Sequence, residues 1–130
     1  MKFVLTLFKM TTIEMLEKIL KEIDNIGGVE TSAIASRDGL LICSTITRKQ
    51  QVETFVAMSA TMIGAAETAT MELGKGIPDR IIVESKRGRI IGTGAGPKGL
   101  LLVMTKPDAS LGLVLIEMTK ASEQIKQILC

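Results

Sequence analysis

The sequence predicts an α+β domain, in which a single five-stranded antiparallel sheet is flanked by three helices in the order αββαβββα. Three observations lead to this prediction. Three segments show helical periodicity, five short runs are rich in β-formers, and the strand connections are only a few residues long. Connections that short cannot hold the crossover that parallel neighbours need. A chain of 130 residues requires no second domain.

The first helix is expected to begin at Thr11, which opens a capping box. The Thr11 hydroxyl can accept from the backbone N–H of Glu14, and the Glu14 carboxylate can reach back to the Thr11 amide. Gly27-Gly28 supplies a left-handed stop. The apolar positions between these signals recur at helical spacing, and they are Ile13, Leu16, Ile19, Leu20, Ile23 and Ile26.

Two β-rich runs at residues 29–36 and 40–45 are separated by Arg37-Asp38-Gly39. We expect a hairpin there, because Asp-Gly provides the positive φ angles of a tight turn. A second helix is predicted from about residue 50 to 73, with its stop at Gly74. The remaining elements are strands at 80–85, 89–93 and 100–105, followed by a last helix that Ser110 can cap.

The middle helix is unusual because the thirteen residues 54–66 contain no charge. A surface helix normally shows a charged face. The segment carries two stripes about 100° apart by the 3.6-residue period. We expect one stripe to pack on the sheet and the other to face a helix of a partner, since large exposed apolar patches mark interaction sites. The alternative is a central helix that is covered on both sides within a monomer. The first stripe is Val52, Val56, Ser59, Ile63, Ala66 and Leu73, and the second is Phe55, Met58, Met62, Ala65 and Ala69.

Residues 1–10 form an apolar N-terminal extension ahead of the domain at 11–130. The run from Phe3 to Phe8 is short, one Lys precedes it, and no small-residue cleavage site follows, so it is a poor signal peptide. Three interpretations stay open: an extra edge strand, an extension packed on the domain, or sequence ahead of a natural start at Met10. Thr, Ser and Glu interrupt the middle helix, so no membrane span is expected.

Composition argues against several classes of function. There is no Trp or Tyr, and a net charge of +2 is too small for a phosphate-binding field, so nucleic acid is not an expected partner. The absence of His removes the usual general base, and we expect neither an enzyme nor a metal site. The alternative is an enzyme that uses a carboxylate or Lys mechanism. Cys43 and Cys130 do not suggest a disulfide scaffold, which indicates the reducing cytoplasm.

Residues 94–99 match GxGxxG, but a strand run follows them instead of a helix. A dinucleotide site needs the helix N-terminus, so we interpret this stretch as a loop and expect no cofactor. Lys86-Arg87-Gly88-Arg89 is a basic hairpin tip, more typical of a solvated turn than of a binding site.

Three stretches together resemble the Roadblock family, which includes the dynein light chains of that name and the bacterial polarity protein MglB. They are the hairpin IASRDGLLICST at residues 34–45, the apolar, glycine-ended middle helix, and KPDASLGLVLIEMTKASEQI at 106–125. The resemblance extends over about residues 12–128. It implies a Roadblock/longin-like fold with one helix on one face of the sheet and two on the other.

The resemblance also implies a function. Family members dimerise through the middle helix and the third strand, bind Ras-like small GTPases or serve as subunits of larger complexes, and stimulate hydrolysis without an arginine finger. It thus implies a homodimeric, non-catalytic regulator or adaptor. A scaffold subunit indifferent to nucleotide and a small-ligand sensor are the alternatives, and a heterodimer stays open. The implied dimer interface is Phe55, Met58, Met62, Ala65, Ala69, Ile81 and Val83.

Overall fold

The computed structural model describes residues 10–129. The N-terminal extension up to Lys9 and the terminal Cys130 lie outside the described residues. Eight elements follow one another in the expected order. They are α1 (Thr12–Asp24), β1 (Val29–Ser36), β2 (Leu41–Ser44), α2 (Lys49–Glu72), β3 (Ile81–Ser85), β4 (Gly88–Gly94), β5 (Gly99–Thr105) and α3 (Leu111–Leu129).

The five strands form one antiparallel sheet in the order β2-β1-β5-β4-β3. This confirms the predicted fold class. Strand β5 lies in the middle and pairs with β1 from Ser36 opposite Gly99 to Val29 opposite Thr105. Six of its seven residues are buried, because helices cover both faces of the sheet at this strand.

Two separate apolar clusters lie on the two faces of the sheet. On one face, α1 and α3 pack on alternate residues of the strands, including Ile34, Ile91 and Leu101. On the other face, α2 packs alone against β1 and β5, through Val56 and Ile63 among others. The sheet therefore has two covering helices on one face and one on the other, as the family resemblance implies.

Helix α2 is held over the sheet by an arginine from the β1–β2 turn. Arg37 Nη1 donates to both carboxylate oxygens of Glu67 at 3.1 Å, and Arg37 Nη2 donates to the Gly96 carbonyl at 2.9 Å. A Cβ at Gly94 would lie 2.6 Å from Nη2, and one at Gly92 would lie 2.8 Å from Ile63 Cδ1. Glycines on β4 thus leave the space that this position of α2 requires.

Several local predictions are confirmed. The Glu14 amide donates to Thr11 Oγ1 at 3.1 Å, as the capping sequence predicts. Gly28 and Gly74 have φ angles of +89° and +70°, which are the left-handed stops expected after α1 and α2. Gly96 lies in the connection between β4 and β5, so the GxGxxG sequence is a hairpin loop that leads into a strand.

Three local predictions are wrong in detail. The Glu14 carboxylate makes no return bond to the Thr11 amide among the described residues, so only half of the capping box forms. In the first hairpin only Gly39 has a positive φ, +88°, because the Gly39 amide donates to the Ser36 carbonyl and the Ser36 amide to the Leu40 carbonyl, which makes a three-residue loop with a single left-handed residue. Leu73 does not extend the sheet-facing stripe of α2: it is the C-cap residue, beyond the covered part of the helix, and is 76% exposed.

Cys43 is a buried free thiol on the α1 side of the sheet. Burial, with a smaller contribution from the nearby Glu17 carboxylate, raises its pKa from an ordinary 9.0 to about 11. A thiol with this pKa is protonated at neutral pH, so Cys43 is not poised as a nucleophile.

Replacing Leu101 by Ala should lower the free energy of unfolding by about 2–5 kcal/mol, because Leu101 is fully buried and the change leaves a cavity. Leu40→Ala is the matched control, since Leu40 is 65% exposed, and its effect should stay within about 0.5 kcal/mol. Urea denaturation of both variants at one protein concentration measures this. Equal losses would contradict the assignment of the core.

The raised pKa of Cys43 predicts a pH-dependent contribution to stability. Below pH 9.0 the thiol is protonated in both states, and its contribution is constant. From pH 9.0 to about 11 the unfolded thiol ionises first, which favours unfolding, so the contribution falls with rising pH. The free-energy difference between wild type and Cys43→Ala should therefore be flat below pH 9.0 and should shift against the wild type above it. A difference that stays constant through this window would disprove the prediction.

Candidate functional site

The flank of α2 that faces strand β3 is largely apolar and open to solvent. Met58 is 60% exposed, although it lies in the middle of the helix. On the neighbouring edge of the sheet, Val83 of β3 is 39% exposed. We call the seven residues predicted from the sequence the α2–β3 surface. They are Phe55, Met58, Met62, Ala65, Ala69, Ile81 and Val83.

Four of the seven residues surround one open groove of about 270 Å³ between the helix and the sheet. Phe55, Met58 and Met62 form the helical wall, and Val83 lies on the strand side. Strand β3 is at the sheet edge, and α2 packs mainly on the central strands, so the face next to β3 is left uncovered.

The other three residues of the α2–β3 surface lie outside this groove. Ala65 and Ala69 are exposed and continue the helical stripe toward the C-terminal end of α2. Ile81 is half-buried, packs against the α2 cluster, and lines a different cavity with Ile63 and Glu67. Ile81 therefore packs against the α2 cluster and does not line the open groove.

The stripe on α2 has the spacing of a helix–helix contact. From Phe55 to Ala69 its members are separated by three, four, three and four residues. That alternation keeps one seam of a helix directed at a neighbouring helix. Met and Ala along such a seam combine adaptable side chains with close approach of the backbones.

Strand β3 offers a second kind of contact beside the groove. It pairs with β4 on one side, from Ile81 opposite Gly92 to Ser85 opposite Gly88. Its other edge has no strand partner among residues 10–129. Unpaired N–H and C=O groups on such an edge can pair with another strand.

Ile90 also lines the groove, although it is not among the residues predicted from the sequence. Ile90 lies directly opposite Val83 in the β3–β4 hairpin. The sequence held a signal for Ile90, because a two-residue turn at Lys86-Arg87 places Val83 and Ile90 opposite each other and on the same face of the sheet.

Arg89 lies on the opposite face of the sheet, where it donates to the Ala109 carbonyl at 3.0 Å. It therefore supports the fold and does not extend the basic hairpin tip.

A second cavity, of about 310 Å³, lies at the end of the sheet where Arg37 meets Glu67. Its hydroxyl groups bond to nearby carbonyls: Thr93 to Asp79 at 2.9 Å and Ser122 to Thr119 at 2.9 Å. The Arg37 guanidinium is likewise engaged by Glu67 and Gly96. These hydroxyl groups and the Arg37 guanidinium are used by the fold, and the side chains of Asp79 and Arg80 are the charged groups that also line the cavity.

Within residues 10–129 no cluster of three or more His, Cys, Asp or Glu side chains could hold a metal ion. In the same range, none of the helices combines the length and the apolar character that crossing a bilayer requires.

Comparison of the sequence with known families and proteins gives consistent matches. A family model described as the Roadblock/LC7 domain matches residues 15–105. The uncharacterized protein MJ1340 of Methanocaldococcus jannaschii is 33% identical over 112 residues, which are 86% of this chain and 97% of that protein. The uncharacterized protein MJ0310 of the same organism is 32% identical over 112 residues, again 86% of this chain and 97% of its own.

Comparison of the structure gives the same family of folds. The gliding protein MglB from Thermus thermophilus superposes with a TM-score of 0.81 at 20% identity, covering 91% of this chain and 90% of that one. An MglB described as having a tetrameric arrangement gives 0.83 at 19% identity, with 91% and 90% covered. A Roadblock/LC7 domain from Streptomyces avermitilis gives 0.81 at 16% identity, with 86% and 95% covered. At these identities the likeness shows a shared fold.

Proposed function

Because this chain belongs to the Roadblock/LC7 domain family, we propose that it is a homodimeric, non-catalytic regulator or adaptor of a Ras-like small GTPase. The observation that carries the proposal is the α2–β3 surface, where an uncharged helical stripe borders an open groove and a strand edge that pairs with no other strand of the described part of the chain. Such a combination suits a second protein chain better than a small molecule.

The proposed partner for the α2–β3 surface is a second copy of the chain. A two-fold axis would bring the α2 stripes against each other and the β3 edges side by side, because each surface in such a dimer contacts its own copy. Met58, the most exposed large residue of the groove, would lose its contact with water. An MglB with a tetrameric arrangement is among the similar structures, which supports self-association in this fold.

The GTPase part of the proposal rests on the family resemblance. A regulator that carries no catalytic group can act by binding one switch conformation of the GTPase in preference to the other. Hydrolysis accelerates if that conformation orients the attacking water and the GTPase's own charged groups. In this chain Arg37 is engaged by Glu67 and Gly96, and Arg89 by the Ala109 carbonyl, so neither is placed to act as an inserted arginine.

We also propose a cytoplasmic location, which is where small GTPases act. A free, buried thiol at Cys43 is compatible with a reducing compartment.

Met58→Glu should prevent dimerisation, because it places a charge in an apolar contact. The dimer dissociation constant should rise at least about 100-fold, which corresponds to about 3 kcal/mol. Met58 is exposed in one subunit, so the change should leave the fold intact. Light scattering over a concentration series measures the mass, and circular dichroism checks the fold.

Ile116→Glu is the matched control for this experiment. Ile116 is an apolar helical residue of similar exposure, 57% against 60% for Met58, but it lies on α3, which covers the opposite face of the sheet from α2. It should leave the dimer unchanged. A wild-type chain that is monomeric at all concentrations, or an equal effect of both variants, would remove the α2–β3 surface as the dimer interface.

The GTPase proposal is tested with a Ras-like GTPase from the same organism. Its GTP turnover is titrated with this protein, and binding to its GDP and GTP-analogue forms is compared. We expect tighter binding of the GTP form, and faster turnover if the protein is an activator. Equal binding of both forms would replace the proposal by a scaffold subunit that ignores nucleotide, and binding of neither form would reject the GTPase as partner.

A further inference from the structure

The outer edge of β3 presents its peptide groups in a fixed order. In the β3–β4 hairpin, Ser85 lies opposite Gly88 across a two-residue turn. Residues that flank such a turn form a hydrogen-bonded pair, and bonded pairs alternate with unbonded pairs along an antiparallel ladder. Every second residue from Ser85 back along β3 therefore bonds to β4. The N–H and C=O groups of Glu84 and Ile82 point the other way, toward the edge that has no strand partner among residues 10–129.

Opposite charges lie four residues apart along this edge. Glu84 is on β3 with a side chain that is 70% exposed, and the exposed Arg80 directly precedes the strand. Side chains alternate between the two faces of a strand, so we expect Arg80 on the same face as Ile82 and Glu84. Ile82 packs on the α1 and α3 side of the sheet, and there Glu84 Oε2 lies 3.7 Å from Arg89 Nε. Within the described part of the chain Arg80 forms no salt bridge, so its charge is available to another molecule.

A second β3 can pair with this edge in only a few registers. Residues that face each other across an antiparallel pair lie on the same face of the sheet, so a two-fold axis lies at a residue of β3 and not between two residues. An axis at Ile82 places Arg80 opposite the partner's Glu84, and Glu84 opposite the partner's Arg80. Both ends of the paired strands then hold opposite charges.

The neighbouring registers lack this complementarity. An axis at Val83 places Arg80 opposite the partner's Lys86, which has the same charge. An axis at Glu84 places that carboxylate opposite its own copy. An axis one residue before Ile82 places Glu84 opposite the partner's Pro78, which has no N–H to donate to the ladder. Charge and hydrogen bonding therefore both favour the axis at Ile82.

We propose that the two β3 strands of the dimer pair about an axis at Ile82 and that Arg80 of each chain binds the partner's Glu84. The Glu84 carboxylate has two oxygens, so it can accept from Arg89 of its own chain and from the partner's Arg80. Opposite charges directly across two strands stabilise their pairing, and like charges oppose it. The two ion pairs thus set the register of the joined sheet and select a second copy as partner. This inference rests on the homodimer of the proposed function.

Charge reversal tests the two ion pairs. Arg80→Glu and Glu84→Arg each place like charges at both ends of the paired strands, so each should raise the dimer dissociation constant at least about tenfold. The double variant restores two pairs of opposite charges. Its dissociation constant should therefore lie within about threefold of that of wild type. Light scattering over a concentration series measures the dimer, and circular dichroism checks the fold.

A mixture of the two single variants gives a sharper test. In the mixed dimer both ends again hold opposite charges, so at least about nine-tenths of the dimer should be mixed, against about one half for random pairing. Glu84→Arg also removes the contact with Arg89, but it does so in the homodimer and in the mixed dimer alike. The comparison between dimers is therefore free of this effect. Native mass spectrometry separates the three dimers by mass.

The matched control reverses an ion pair on α3. Lys120 Nζ lies 3.6 Å from Glu117 Oε1 on this helix, which covers the other face of the sheet from α2. Lys120→Glu and Glu117→Lys change the net charge of the chain by the same amounts as the two β3 variants. Their mixture should contain about one half mixed dimer. A preference as strong as that of the β3 variants would show that net charge drives the pairing, and would overturn the proposal.

Three further results would also overturn it. A tighter homodimer of Arg80→Glu would place the axis at Val83, where Arg80 meets the partner's Lys86. Unchanged homodimers of both single variants, in a protein whose dimer Met58→Glu still disrupts, would show that the dimer stands without these ion pairs. A wild-type chain that is monomeric at all concentrations would remove this inference and the proposed homodimer together.

Discussion

The structure depends on a mismatch between the width of the sheet and the number of helices that cover it. Five strands about 4.8 Å apart make a surface roughly 20 Å wide, whereas a helix with its side chains is about 10 Å across. Both faces of the central strands are apolar and buried, as the run at β5 shows. Two helices, α1 and α3, cover one face, and α2 alone covers the other. One helix cannot cover five strands, so part of that face must meet water or another protein chain.

The location of the uncovered part follows from how α2 is seated. Val56 and Ile63 pack on β1 and β5, the absence of side chains at Gly92 and Gly94 lets the helix and Arg37 come close, and Arg37 holds Glu67. These contacts seat α2 over β1, β5 and β4, and the open groove is left beside the edge strand β3. A polar contact at one end of the sheet thus contributes to the shape of an apolar surface at the other end. The absence of charge in residues 54–66 follows from this position of α2. One side of the stretch packs on the sheet, and the adjacent side borders the groove.

The two faces of the sheet present different surfaces. The α2–β3 surface is flanked by a strand edge that has no strand partner among residues 10–129, which suits a symmetric partner. On the opposite face, α1 and α3 leave a groove between them that is lined by Met15, Ile19 and Ile128 among others. Both surfaces arise because packed helices leave apolar side chains at their margins.

The sequence alone determined the features that depend on short-range chemistry. Thr11, Gly28, Gly39 and Gly74 mark element boundaries because caps and positive φ angles are set by a few neighbouring residues, and helical spacing separated the two stripes of α2. Tertiary structure decided what depends on contacts between distant segments: that Leu73 lies beyond the covered helix, that Ile81 supports α2 while Ile90 lines the groove, and that Arg37 binds Glu67. Sequence periodicity predicts which side of a helix or strand is apolar. It does not predict how much of that side a neighbouring element covers, because the packing of the whole sheet sets that length.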